Sequence, residues 1–356
     1  MCFVDNAATR AGCASDEPLP GDDIVPGGFG LSRLLVTGAN GFIGGALCHA
    51  LEQNGYDVVR AVRDRENVAA LQAGTQTFAV ATGELGPDTD WVESIQGVDT
   101  IVHAAARVHL MQDMANDPLA AYRRVNNAGT ACLARAAAKA AVRRFIYIST
   151  VKVSGERTES TPFSETDPPD PQDPYAVSKL EAEQALWEIS GRTGLQVVIV
   201  RPPLVYGPGV KANFLRLIRL VDRGIPMPVA NVTNRRSLLA LDNLVDFLLR
   251  CIKAPAAAGE TFLVADDEDL STPDLIGRIA AHMGRKPRLV SFPPALVGLA
   301  ARLVGKESEA RRLRDSLQID VSKARKVLDW TPAVTVDEEL EKTVAWYMRD
   351  KISRNA

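Results

Sequence analysis

Tyr175 and Lys179 stand four residues apart in the segment DPYAVSKLEAE. Asp173 and Pro174 mark a helix start, so both side chains lie on one helical face. A free phenol titrates at about 10, and a neighbouring ammonium favours the phenolate and lowers that value. Tyr175 can then give or take a proton near neutrality, and Lys179 can also bond a ribose. Thr150 ends the apolar run RFIYIST, where its hydroxyl can hold the same substrate oxygen. The chemistry on offer is acid–base work at a substrate oxygen. The same residues also fit a half-buried aromatic beside a surface lysine, and a turn threonine.

A second group lies far upstream. TGANGFIG, residues 37–44, follows the apolar run LLV. Unpaired N–H groups and the positive dipole end of a helix suit a pyrophosphate. Gly38 permits a tight turn, Gly41 a close phosphate approach, and Gly44 close packing of the helix. Asn40, Phe42 and Ile43 complete the loop. The spacing GxxGxxG after a strand points to a dinucleotide, although a turn with a tight helix contact would read alike. In VVRAVRDR, at the end of the next strand, Arg63 stands near the place of the acid that would accept a ribose 2′-hydroxyl. It can pair with a 2′-phosphate, helped by Arg60 or Arg65, with Asp64 as the fallback acid. NADP(H) is therefore expected over NAD(H); solvated surface arginines are the alternative.

These groups need a frame. Strands are expected at 33–37, 56–62, 77–80, 100–103, 144–149 and 195–201. Helices are expected at 41–55, 88–95, 116–139 and 174–191. Apolar strands alternating with helices predict an α/β fold, a Rossmann-like doubly wound parallel sheet covered on both faces. Residues 31–206 form the dinucleotide-binding domain in this reading. The rhythm breaks after Gly207, and residues 207–350 are expected to build a smaller substrate-binding domain, with segments returning to the first. Residues 1–30 are polar, rich in Gly and Pro, and lack a signal peptide's basic and apolar regions; they read as a flexible leader.

Composition narrows the classes. The 356 residues, 46% of them apolar, suffice for a sizeable core. Lys and Arg (41) nearly balance Asp and Glu (44), so no basic field advertises nucleic acid. No apolar run of membrane-spanning length occurs. Five cysteines without a CxxC fit a reducing, cytoplasmic setting. Four scattered histidines lack metal-ligand spacing.

Together TGANGFIG, HAAA, VNNAGT, IST, YAVSK and RPPLVYGPG resemble the extended short-chain dehydrogenase/reductase family, in its nucleotide-sugar epimerase/dehydratase branch, over about residues 32 to 345. The resemblance implies that Thr150, Tyr175 and Lys179 are catalytic. It implies cofactor contacts from His103, Ala104 and Ala105, from Pro202 to Val205, and from Glu84 and Leu85 near the adenine, where the family often has Asp-Leu. Asn126 would brace the long helix and the site's hydrogen-bond chain. Asn213, Phe214 and Arg235 resemble the family's nucleoside-diphosphate contacts; Arg312 or Arg314 would add another, unless they belong to a solvated helix. The 4,6-dehydratases carry Asp-Glu after the threonine. Here Val151 and Lys152 stand there, so dehydration is not expected, and Lys152 faces a diphosphate, a sugar oxygen or solvent. HAAARVHLM, STVKVSGE and NRRSLLALDNL look closest to enzymes of UDP-linked N-acetyl sugars in bacterial surface polysaccharide synthesis. The favoured expectation is an NAD(P)-dependent reductase of a UDP-4-keto-6-deoxy-N-acetylhexosamine. A UDP-sugar 4-epimerase is the alternative, and a non-catalytic dinucleotide sensor a third. Helices around 115–140 and 175–191 commonly pair in this family, which implies a homodimer.

Overall fold

Short β-branched runs become strands because they can be buried on both faces. The computed structural model describes residues 32–72, 78–108, 117–291 and 313–355. Expectations for residues 1–30, Thr77, Asn116 and Arg312 fall outside these. The strands β1 (Arg33–Thr37), β2 (Asp57–Val62), β3 (Phe78–Ala81), β4 (Thr100–His103), β5 (Arg144–Ile148) and β6 (Gln196–Arg201) are joined by a later strand, β9 (Thr261–Leu263). Among the described residues they form one seven-stranded sheet in the order β3-β2-β1-β4-β5-β6-β9. All six pairings are parallel. The order reverses between β1 and β4, which opens a crevice at the C-terminal strand ends.

Helices cover both faces. On one side α1 (Phe42–Gln53) and α7 (Leu241–Lys253) pack on Leu34, Val36, Val102, Ile146 and Val198. On the other, α4 (Thr130–Lys139) and α5 (Pro174–Thr193) cover Leu35, Ile101, Phe145, Tyr147 and Ile199. Between them in sequence lie α2 (Arg65–Gln72), α3 (Pro118–Tyr122) and α6 (Ala212–Asp222). α2 was not expected from the sequence. Where a helix was expected at 88–95 there are turns, because Thr89 and Asp90 side chains bond the N–H groups of Gly86 and Val92 instead. The expected long helix over 116–139 is α3 and α4 joined by a π-helical stretch, Arg123–Gly129.

Beyond Arg201, β7 (Leu204–Tyr206) pairs in parallel with β8 (Leu238–Ala240). Around them α6, α8 (Thr272–His282) and α10 (Val336–Asn355) enclose a core of Tyr206, Phe214, Ile218, Ile279, Leu340 and Val344. A short α9 (Ser322–Leu328) precedes α10 and packs on β9.

Arg144 anchors this arrangement. It is 1% exposed, yet its guanidinium donates to the carbonyls of Cys251 (2.5 Å), Ile252 (3.2 Å) and Ala254 (2.8 Å) and to Gln196 Oε1 (2.9 Å). These carbonyls lie at the end of α7, where the last turn leaves carbonyls without α-helical partners; Ala254 O also accepts from Ala257 N (3.2 Å). Arg144→Met is expected to lower stability by about 2–3 kcal/mol, the penalty of leaving buried carbonyls unpaired. Urea unfolding would check this; an unchanged midpoint would show that water or neighbouring N–H groups take over the carbonyls.

Candidate active site

β1 ends in the glycine turn. Gly38 has φ +67, in the left-handed region, and its carbonyl accepts from Gly41 N (2.8 Å). A Cβ at Gly44 would overlap that carbonyl, and a Cβ at Gly38 would sit 3.0 Å from Ala105 Cα. The turn, the start of α1 and the Ala104-Ala105 segment after β4 are thus in backbone contact. Asn40 and Gly41 are exposed at the helix N-terminus, which no side chain caps, so the first-turn N–H groups fit a pyrophosphate. Phe42 and Ile43 are half-buried.

The row Thr37, His103 and Tyr147 crosses three neighbouring strands in register. His103 is 1% exposed and bridges Thr37 Oγ1 (2.7 Å, Nδ1) and Thr130 Oγ1 (3.0 Å, Nε2). Burial, with the positive charge of Lys179, pulls its imidazole down to about 3, so the ring is neutral. The His103 side chain is an internal brace, so the expected cofactor contact at His103 would fall to its backbone. Ala104 and Ala105 are the half-buried residues of that segment, and Ala105 N donates to Thr37 Oγ1 (3.1 Å).

Lys179, on α5, reaches over the Tyr147 ring (4.0 Å) and donates to the Ile148 carbonyl (2.6 Å). It is 1% exposed. Burial pulls its ammonium down to about 7, with the Glu183 carboxylate opposing. Tyr175 lies one turn earlier, half-buried, edge-on to Tyr122 with ring centres 6.1 Å apart. Burial, then Asp173, then Tyr122 raise its phenol above its ordinary value. Both shifts run against the phenolate and ammonium expected from spacing alone.

Thr150 opens a short 3-10 turn, Val151–Val153, and its Oγ1 accepts from Lys152 N (3.3 Å). With that lone pair used, its O–H remains to donate to a substrate oxygen. Ser149 N and Val151 N donate to the carbonyls of Val200 (2.7 Å) and Pro202 (2.9 Å), which tie this turn to the end of β6. Pro202 is buried and Val205 half-buried. Asn126, 2% exposed on the π-helical stretch, accepts from Arg107 N (2.8 Å) and donates to Ser178 Oγ (3.0 Å), within the turn between Tyr175 and Lys179. Such wide turns recur at functional sites.

Other expected residues divide. The Lys152 ammonium is engaged within the protein, pairing with Asp173 (2.5 Å) and Glu156 (2.8 Å). Phe214 stacks on Tyr206 (5.3 Å) at 1% exposure, so its side chain belongs to the core, whereas Asn213 beside it is exposed. Arg235 is exposed, with no partner for its guanidinium among the described residues, while Arg236 donates to the Asp315 carbonyl (2.9 Å). Arg314 is half-buried. Glu84 is exposed and Leu85 packs on the sheet. Arg63 is exposed at the end of β2. Its two supposed helpers differ: Arg60 is held by Glu52 at 2.9 and 2.7 Å, while Arg65 is exposed. Asp64 accepts from Asn67 N and so caps α2.

One set escaped the sequence reading. Glu183, 2% exposed, accepts from Arg201 Nε (3.0 Å), from its terminal nitrogen (2.5 Å) and from Ser149 Oγ. Its spacing, four after Lys179, was the available signal. The unfolded chain binds more protons at Lys179 than the native one between pH 7 and about 10, so this group adds stability as pH rises through that window. Wild type should therefore gain on Lys179→Met in urea midpoint from pH 7 to about 9.5. A constant difference would mean that Lys179 keeps ordinary basicity.

The family described as "NAD dependent epimerase/dehydratase family" matches residues 34–265. The chain is 38% identical over 340 residues to a UDP-glucose 4-epimerase of Vibrio cholerae, covering 95% of this chain and 98% of that protein. It is 29% identical to a UDP-glucose 4-epimerase of Mycolicibacterium smegmatis, over 88% and 98% of the two chains. Among solved structures, a UDP-glucuronic acid 4-epimerase from Bacillus cereus, in complex with UDP-glucuronic acid and NAD, is 25% identical. That match covers 89% of this chain and 99% of the other, with a TM-score of 0.73. With the glycine cradle, the switch-point crevice and the Thr150, Tyr175 and Lys179 edge, these matches make the chain an enzyme of the NAD-dependent epimerase/dehydratase family.

Proposed function

We propose that the protein is an NAD-dependent 4-epimerase of a UDP-linked sugar. The observation that carries this is the full-length similarity to a UDP-glucose 4-epimerase. The site supports it, because Thr150, Tyr175 and Lys179 stand at one sheet edge with no acid directly after Thr150. Val151 is buried and Lys152 is ion-paired. Dehydration needs a proton donor for a departing hydroxyl, and these two side chains are not suited to it.

The glycine turn, Ala104, Ala105 and Lys179 would hold the dinucleotide. When bound, its oxidised nicotinamide would take a hydride from the sugar carbon and return it. Tyr175 takes the proton of the sugar C4 hydroxyl, Thr150 donates to the same oxygen, and Lys179 lowers the phenol toward its working range. Once the sugar presents its other face, Tyr175 returns the proton. Exposed Arg235 offers a two-pronged contact to the diphosphate. NAD(H) is favoured over the initially expected NADP(H). The similar enzyme with UDP-glucuronic acid was solved with NAD, and Arg60 here is occupied by Glu52.

The second reading is the 4-keto reductase, supported by Arg63 and Arg65, which remain exposed for a 2′-phosphate. Purified protein would be given UDP-glucose and UDP-N-acetylglucosamine with NAD⁺, and the C4 epimers resolved. Epimer without net NADH is the expected outcome. Stoichiometric oxidation of NADPH by a UDP-4-keto-6-deoxy sugar, with no epimer from either substrate, would replace it with the reductase. Arg235→Met should raise KM for the sugar nucleotide about 10-fold or more with little change in kcat, the pattern of a uniform binding contact. A fall in kcat alone would place Arg235 elsewhere in the cycle.

A further inference from the structure

Lys152 occupies an unusual junction. Its backbone N–H donates to the Thr150 hydroxyl oxygen (3.3 Å), and its side chain pairs with Asp173 (2.5 Å). Asp173 is the N-cap of α5, where its other carboxylate oxygen accepts from Ala176 N (2.7 Å). Tyr175 is the second residue of that helix. One residue therefore touches the support of both candidate hydroxyl groups. A third contact, to Glu156 (2.8 Å), fixes the ammonium from the far side. The Lys152 and Asp173 side chains are only 23% and 15% exposed, so solvent screens their pairing weakly.

We propose that Lys152 is a positioning residue: it fastens the Thr150 turn to the head of the Tyr175 helix and balances the charge of Asp173 beside the phenol. The proposal rests on the C4 proton-exchange reading of the site. Two effects follow from it. Mechanically, the Thr150 hydroxyl and the Tyr175 phenol keep a common register, because β5 and α5 are joined at the ends that carry them. Electrically, an uncompensated carboxylate at Asp173 would disfavour the phenolate. Among the described residues, the charged and titratable groups around Tyr175 include Asp173 on its own helix, Tyr122 from α3, Tyr147 from β5 and Lys179 one turn on. Arg107 lies over the Tyr122 ring at 5.6 Å, and Lys152 and Glu156 come from the turn after β5. Lys152 is in direct contact with Asp173.

The test is a double-mutant cycle read by pH profile. Lys152→Gln should lower kcat about 10-fold, leave KM for the sugar nucleotide unchanged, and move the limb governed by Tyr175 roughly half to one pH unit upward. Lys152→Arg should restore most of both. Asp173→Asn keeps a capping oxygen but removes the charge, so it should move the limb downward, even if Lys152→Gln does not fold. In the Asp173→Asn background Lys152→Gln should shift the limb no further. An equal shift in both backgrounds would overturn the proposal, as would a rise in KM with kcat and limb unchanged, which would make Lys152 a substrate contact. The phenol can also be titrated by ultraviolet difference against each protein's Tyr175→Phe counterpart. That readout needs no substrate, so an inactive wild type would count against the epimerase reading while leaving Lys152 testable.

Discussion

The buried pairing of Glu183 with Arg201 is the contact on which the site's frame depends. Glu183 projects from α5, Arg201 ends β6, and Ser149, which also bonds Glu183, directly follows β5. Two charges this deep are tolerated only when each is paired and its remaining hydrogen bonds are met. The carboxylate takes three donors, and Arg201 also reaches Ser154 Oγ (3.4 Å). Helix and strand ends are thereby held at one height, so that Thr150 leaves β5 where the first turn of α5 presents Tyr175. An apolar contact would bury these surfaces too, but it would not fix the register so narrowly, because burial is nondirectional.

The same carboxylate shapes the charge balance. Lys179 lies in a setting that disfavours its ammonium, and Glu183, one turn away, is the group that opposes this. In the proposed proton exchange, such a lysine would sit beside a tyrosine that changes protonation state. The row from Lys179 over Tyr147 to His103 (rings 5.8 Å apart) and Thr37 then joins this chemistry to the glycine turn. His103 stays neutral within that row, so its two nitrogens serve as hydrogen-bond anchors between β1 and the π-helical region without adding a second charge near Lys179.

At the other end of the crevice the constraint is steric. A Cβ at Gly44 would overlap the Gly38 carbonyl and one at Gly38 would press on Ala105, so larger side chains at these two glycines would disturb the packing of the turn on α1 and on the segment after β4. The uncapped start of α1 and the tight backbone packing below it both involve these small residues. Asn126 carries the restraint onward, since it bonds the segment after β4 to Ser178 inside α5.

Local regularities were legible in the sequence. The alternation of apolar strands and helices, the turn at TGANGFIG and the shared face of Tyr175 and Lys179 all depend on spacings of a few residues, and the parallel sheet follows from them. Where local side chains compete with a helix, as at Thr89 and Asp90, periodicity misled, and α2, with no buried residue of its own, was too polar to be noticed. Which members of a motif face a ligand was beyond the sequence. His103 and Phe214 sit in motifs rich in site residues yet turn inward, and Lys152 is captured by Asp173. Ser149 meets Glu183 across 34 positions, and Arg144 meets the end of α7 across more than 100. Such partners are chosen by how the sheet stacks its strand ends and by where burial leaves a charge or carbonyl needing one. Only the folded chain decides that.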